Sequence, residues 1–225
     1  FVHIEDVRSS NLLSPTIFHA YKALLSPCWM GSYDVTGLPE IFVMRHGETV
    51  WNLEERWHGS LDSALTEKGR AQAIEMGQKL AAAGVSSVSH AALSSPQARA
   101  LRTCDLALAP MAITVEVCDD LREIGIGAWA GLTPDDMRAG WPAIEVESWM
   151  DVYANAPGGE GFEALWDRAG RVLERLSGTA ILVTHGITSR VLRTRAMGLP
   201  FADLAALPGG QGVIHHIRDG VHRTI

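Results

Sequence analysis

The sequence predicts an α/β fold, a three-layer α/β/α arrangement built on a mainly parallel sheet that is covered on both faces. Two observations carry that prediction. Short apolar runs of strand length recur, with IFVM at 41–44 and AILV at 180–183 as the clearest. Segments with helical periodicity separate them, long enough to serve as crossovers between parallel strands.

The elements follow in order. The run 41–44 is a strand. Thr66 is a good N-cap, so 67–83 is expected as a helix with Ile74, Gly77, Leu80 and Ala81 on its buried face and Gly84 closing it. Residues 91–94 form a second strand, and Pro96 opens a helix running to about residue 108, since proline suits a helix start. ITVEV at 113–117 alternates as a strand does. Residues 162–176 are the clearest helix, because Phe162, Leu165, Trp166, Ala169, Val172, Leu173 and Leu176 recur at spacings of three and four. A strand at 180–183, a helix over 187–196 and an edge strand at 213–217 complete the domain.

Two segments stand outside this alternation. Residues 1–38 carry scattered prolines and serines with a short helix expected at 16–25, and read as an N-terminal extension before a domain at 39–225. Residues 125–160 hold Trp129, Trp141, Trp149 and three prolines without a long clean period, and read as an excursion that shapes a pocket.

Composition narrows the function. A chain of 225 residues, 47% hydrophobic, can bury one core of ordinary size. Its formal net charge of −7 gives no reason to expect nucleic acid or an anionic membrane as partner. A local pocket of Arg and His can still take a small anion against the overall sign. Three cysteines, odd in number and far apart, argue against a disulfide framework or a zinc site and for a reducing cytoplasm. No apolar stretch approaches the roughly 20 residues that cross a bilayer. Glu5 and Asp6 stand where a signal peptide would carry positive charge.

The chemistry lies at the strand ends. In a doubly wound sheet, ligands sit beyond the carboxyl ends of the parallel strands. Arg45 and His46 directly follow the strand at 41–44, and His185 and Gly186 follow that at 180–183. Arg99 falls in the first turn of the helix after 91–94. If these strands are parallel, two arginines and two histidines meet on one edge. Arginine forks onto oxyanions, and neutral imidazole is a nucleophile. Gly47 and Gly186 lack a Cβ, which lets backbone N–H groups approach an anion. Phosphate is the natural occupant, since phosphoryl transfer depends mainly on positioning and charge stabilisation.

Five stretches then resemble one family in order: RHGETVWNLEERWHGSLDSALTEKGRAQA (45–73), SSPQARALRT (94–103), LREIGIGAWAGLT (121–133), PGGEGF (157–162) and VTHG (183–186). The set is similar to the histidine phosphatase superfamily, which includes the cofactor-dependent phosphoglycerate mutases, and it spans roughly 40–217. The resemblance implies a phosphoglycerate mutase-like fold and a phosphohistidine formed on His46. It implies that Arg45, Arg99 and His185 hold the phosphoryl oxygens, that Asn52 donates to them and that Gly59 and Gly186 lie beside them. Glu123 would protonate the leaving oxygen and then deprotonate water. No metal and no cofactor are implied, and the partner is a small phosphorylated metabolite. For this chemistry His46 is expected neutral and His185 protonated.

The sequence departs from the mutases of that family, which carry Arg-Tyr after the acid and a longer insertion before the second histidine. Here Glu123 is followed by Ile124-Gly125 and the interval to His185 is short, so the phosphatase branch fits better. Phosphoglycerate mutase activity and a non-catalytic phospho-ligand module are the alternatives, with a homodimer contact as one reading of residues 1–38. Arg102 competes with Arg99 and reads as a solvated or salt-bridged side chain; Asp119, Asp120 and Glu160 compete with Glu123, and each reads as a helix-face or loop carboxylate. His58 either lines the pocket mouth or is exposed. Trp51, Trp57 and Trp129 read as core, and His215, His216 and His222 as an edge strand and tail.

Overall fold

The computed structural model describes residues 35–225; the helix expected at 16–25 lies outside them. Six strands form one sheet in the order β3-β2-β4-β1-β5-β6. They are β1 (Ile41–Arg45), β2 (Ala91–Ser94), β3 (Val115–Val117), β4 (Ala180–Thr184), β5 (Ile214–Arg218) and β6 (Val221–Thr224). The first four are mutually parallel, while β5 runs antiparallel to β1 and β6 antiparallel to β5. Among the described residues seven α-helices accompany them: α1 (Val50–Leu53), α2 (Glu67–Ala82), α3 (Ala98–Leu108), α4 (Pro134–Gly140), α5 (Trp149–Asn155), α6 (Gly161–Glu174) and α7 (Gly186–Ala196).

Strand alternation sorts the core into two layers. Ile41 and Val43 of β1, with Ala180 and Leu182 of β4, pack under α6 and α7 against Leu165, Trp166, Ala169 and Leu192. Phe42, Met44, Ile181 and Val183 point the other way, onto α2 and α3 through Met76, Leu80, Ala100 and Cys104. Both faces are therefore covered, and β4 is fully buried along its length.

Three expectations need correction. The buried face of α2 is Gly69, Ala73, Met76, Gly77 and Leu80, while Ile74 is 46% exposed and Ala81 is also exposed. The strand at 214–218 is not the edge, because β6 pairs outside it. His222 belongs to β6 and meets His215 at 3.0 Å, so neither is part of a loose tail. The absence of a Cβ at Gly47 also serves packing: a Cβ there would stand 2.2 Å from Gly69 O, and one at Gly69 would stand 2.0 Å from Glu48 O. This reciprocal crossing seats the start of α2 against the chain leaving β1. Thr66 caps α2 by accepting from Gly69 N–H, as expected.

The excursion at 125–160 folds into a turn at Gly127–Trp129 followed by α4 and α5. It has its own small core of Ile126, Trp129, Met137 and Val152, with Trp57 packed against it. It stands over the carboxyl ends of the parallel strands and walls the cavity there.

Candidate active site

The parallel register brings the expected residues together. Arg45 ends β1 opposite Thr184 of β4, which places His46 and His185 side by side, their ring centroids 5.2 Å apart. Ser94 ends β2 opposite Val183, and the chain turns through Ser95 and Gln97 into α3, delivering Arg99 to the same edge. Arg45, His46, Asn52, Gly59, Arg99, Glu123 and Gly186 all line one cavity.

His46 Nδ1 lies 2.8 Å from Gly47 O. A carbonyl only accepts, so Nδ1 carries the proton and Nε2 carries the free lone pair. His185 Nε2 lies 2.7 Å from Ser95 Oγ, which itself accepts from Gln97 N–H. With two lone pairs and one proton, the Ser95 hydroxyl can act as donor to Nε2 or as acceptor from it. The other ring nitrogen, His185 Nδ1, is buried without a partner. Burial, then Arg45 and Arg99, hold the His46 pKa well below 6.5. Burial, then Arg99 and His46, do the same for His185. The expected neutral His46 matches this setting; the expected protonated His185 does not, because burial and then Arg99 disfavour its charged form.

His58 joins them. Its Nε2 is 2.8 Å from Thr49 Oγ1, its ring is 6.0 Å from that of His46, and it lines the cavity. Burial, then Arg99 and Arg45, lower its pKa to about 3. A histidine held neutral in the folded state and free to charge in the unfolded state costs stability as pH falls below 6.5. For three of them the unfolding free energy is expected to fall by up to about 1.4 kcal/mol per group per pH unit below that value. Urea unfolding at about pH 7.5 and 5.5 checks this. The window lies above the range where the acidic groups with lowered pKa values, such as Glu48 and Asp120, begin to lose their contribution. A flat profile would mean that the imidazoles are charged in the fold.

Arg99 is 1% exposed and fixed by its own partners. Its Nη1 donates to Leu61 O at 2.6 Å and to Asp62 Oδ1 at 3.1 Å, and its Nη2 donates to Gly59 O at 3.3 Å. Asp62 also accepts from the Ala98 and Arg99 N–H groups, capping α3 from a distant loop. Arg99 Nε and Arg45 Nε are buried without partners. Two guanidinium donors of one site, Arg45 Nε and Arg99 Nε, are thus buried with nothing to bond, and His185 Nδ1, Trp57 Nε1 and Trp129 Nε1 are the other buried side-chain atoms without a partner among the described residues. Buried donors are normally satisfied, so this arrangement suits an oxyanion.

Glu123 hangs at the start of α7. Its carboxylate accepts from the N–H groups of Ile124, Ile187 and Thr188 and from Thr188 Oγ1, at 3.0 to 3.2 Å. Helix N-termini favour negative charge. Asn52 Oδ1 accepts from Thr49 and from Gln211 Nε2 at 2.7 Å, which leaves its amide nitrogen as the group for a ligand. A Cβ on Gly186 would stand 3.5 Å from Arg45 Cζ and 3.7 Å from Glu123 Oε2, ordinary contact distances, so Gly186 lies between them without being forced by packing. The competitors lie elsewhere: Arg102 pairs with Asp105, Asp119 with Arg122, Asp120 with Arg171 and Glu160 with Arg168.

Gln97 and Arg190 escaped the sequence reading, while the 125–160 excursion supplies the walls expected of it. Gln97 bridges two site loops, its Nε2 donating to Gly59 O at 3.0 Å and its Oε1 accepting from Glu123 N–H at 2.8 Å. Trp57, Trp149 and Tyr153 wall the cavity, with Trp57 and Tyr153 in edge contact at 5.3 Å; Trp57 is half-buried and lines the site, where core was expected. Arg190, one turn into α7, adds a further cation. Only Arg190 had a local signal, its position one turn beyond His185-Gly186 on a helix whose first turn faces the site.

Comparison with known proteins agrees with this geometry. Residues 41–220 match the histidine phosphatase superfamily (branch 1). "Probable phosphoglycerate mutase GpmB" of Salmonella paratyphi B is 31% identical over 169 residues, 72% of this chain and 76% of that protein. The alpha-ribazole phosphatase from Shigella flexneri superposes with a TM-score of 0.71 at 26% identity, over 81% of this chain and 93% of its own. The mycobacterial glucosyl-3-phosphoglycerate phosphatase gives 0.67 at 27% identity, over 79% and 89%. The match runs from the first residue of β1 to beyond β5 and takes in both histidine-bearing strand ends, and the chain belongs to the histidine phosphatase superfamily, branch 1.

Proposed function

We propose that the protein is a phosphoric monoester hydrolase that works through a phosphohistidine on His46. The observation that carries this reading is the fixed tautomer of His46. Its Nε2 lone pair stands free at the carboxyl edge of the sheet, beside the unpartnered donors of Arg45 and Arg99.

The chemistry follows from that arrangement. The Nε2 lone pair attacks phosphorus, the ester P–O bond breaks, and Glu123 gives its proton to the departing oxygen. Glu123 then takes a proton from water, whose oxygen attacks phosphorus and breaks the N–P bond, restoring His46 and releasing phosphate. Arg45 and Arg99 balance the charge on the equatorial oxygens, the task metal ions perform in other phosphoryl-transfer enzymes. Burial and then the neighbouring cations keep His185 neutral; a bound phosphate dianion offsets the cations and so favours its protonation in the complex.

Phosphoglycerate mutase activity is the second reading, favoured by the similarity to the Salmonella protein. Against it stands the short interval between Glu123 and His185. A binding module is disfavoured because nucleophile and acid are both retained. Phosphate release from a panel of small phosphomonoesters in excess EDTA, run beside an assay for 2- and 3-phosphoglycerate interconversion with added bisphosphate, separates the readings. Release that survives EDTA is expected. Isomerisation without release would reverse the assignment to mutase, and release abolished by EDTA would overturn the metal-independent mechanism.

A further inference from the structure

Gln211 is not part of the cavity wall, yet it touches a side chain that is. Its Nε2 donates to Asn52 Oδ1 at 2.7 Å, across 159 residues of chain. The same oxygen accepts from Thr49 N–H and from Thr49 Oγ1, each at 3.0 Å. A backbone N–H only donates, so the Thr49 contact settles which end of the Asn52 amide is oxygen. Gln211 meets that oxygen, so its own amide faces Asn52 with nitrogen. The nitrogen of Asn52 has no partner among the described residues and belongs to a side chain of the cavity wall.

Two of the three donors come from Thr49, the cap of α1 itself. That helix is a single turn of four residues, too short to hold its own shape. Gln211 is the donor supplied by another element. It is half-buried in the loop before β5, between Gly210 and Gly212, whose φ angles of 123° and 69° lie where glycine is favoured. The loop is anchored in turn on α7. Arg193 is 1% exposed and donates from Nη2 to Pro208 O at 2.7 Å, and Arg190 Nε donates to Leu207 O at 3.3 Å. A Cβ on Gly209 would stand 2.2 Å from Arg190 Nη2, so the backbone there lies directly on that guanidinium. A line of contacts thus runs from α7 through the loop to the Asn52 amide.

We propose that Gln211 is a positioning residue for phosphate binding. It holds the Asn52 amide with its nitrogen turned to the cavity, and by bonding the oxygen it polarises the amide and strengthens its N–H donors. The loop before β5 thereby completes a site whose other groups come from the ends of β1 and β4 and from α3. That role follows from the reading of Asn52 as a donor to the phosphoryl oxygens, and does not depend on turnover.

Isothermal titration with inorganic phosphate tests it on four proteins: wild type, Gln211→Met, Asn52→Ala and the double variant. Methionine keeps the length of the side chain and removes the donor. Gln211→Met is expected to weaken phosphate binding by at least about threefold, and Asn52→Ala by about tenfold, the scale of one hydrogen bond to a charged group. In the Asn52→Ala background, Gln211→Met is expected to cost less than about half as much in log affinity, since it acts through the missing amide. A loop that merely loosens would weaken binding equally in both backgrounds. A smaller loss in Gln211→Met, a loss of half or more in the second background, or undiminished binding by Asn52→Ala overturns the assignment. Should Gln211→Met not fold, Gln211→Ala is read by the same criteria. Phosphate release from a phosphomonoester by the wild type keeps the two readings apart. Coupled binding without release keeps the role of Gln211 and removes the hydrolase, while release with uncoupled binding does the reverse.

Discussion

His46→Ala is expected to lower phosphate release by at least about four orders of magnitude, the scale seen when a catalytic nucleophile is removed. No other imidazole can replace it in place. His185 has Nε2 engaged by Ser95, and His58 has Nε2 engaged by Thr49. His46 alone has its Nδ1 proton held by the adjacent carbonyl of Gly47 and its Nε2 turned loose. Rapid-quench labelling is expected to trap an acid-labile phosphoenzyme in the wild type and none in the variant. His185→Ala should still form the intermediate, only more slowly, because it removes a donor to the phosphoryl oxygens and not the atom that bonds phosphorus. Residual His46→Ala activity within about tenfold of wild type would place the nucleophile elsewhere. Loss of the fold is not expected, since the substitution removes a neutral ring from the cavity wall and leaves the β1–β4 ladder intact.

The position of His46 was legible because its cause is local. A strand buried on both faces must be apolar, so a run such as IFVM that stops at Arg-His-Gly marks the point where the chain leaves the sheet and meets ligand. The same logic located His185. Helix α6 was equally legible, since one face of it packs on the sheet and the other meets water. Helix α2 misled by a slip of face. It is rich in alanine and glycine, and it buries small residues such as Ala73 and Gly77, the latter directly against Ala107 of α3, which no hydrophobic count weights heavily. Strand β6 was hidden because VHRT has one apolar residue and owes its conformation to pairing with β5. The long-range polar links left no trace in spacing. Asp62 holds Arg99 from 37 residues away, and Gln97 reaches Glu123 across 26. Such pairs exist only once the sheet has brought its loops to one edge.

Glu160 shows what that hidden layer does. It was read as an ordinary loop carboxylate, yet it grips Arg168 of α6 through two bonds, at 2.6 Å and 3.0 Å. Arg168 is 1% exposed, and its Nη1 donates to the carbonyls of Asp120 and Arg122 at 2.7 Å each. Glu160 also accepts from Gly125 N–H at 3.0 Å and donates its own N–H to Gly125 O. The pair therefore clamps the chain on both sides of Glu123, between residues 122 and 125. Glu160→Gln is expected to destabilise the fold by about 3–5 kcal/mol, because it leaves a buried guanidinium without its counter-charge. The urea midpoint should fall while the slope stays near that of the wild type. Burial pushes the Glu160 carboxyl up, but Arg168 outweighs it and the net pKa is lowered. The contribution of this pair is thus present above the ordinary 4.5 and lost as pH falls through the lowered value, so wild type and variant should converge in acid. Arg168→Met strands the Glu160 carboxylate in turn, but should be milder than Glu160→Gln because Glu160 keeps the Gly125 N–H and Arg122 at 3.7 Å. In both variants kcat should fall further than stability requires, because a Glu123 free to shift by even about 1 Å no longer meets the departing oxygen. Equal stability of Glu160→Gln and wild type would show that Arg168 finds compensation from the two carbonyls alone, and the clamp would then be a matter of hydrogen bonding and not of charge.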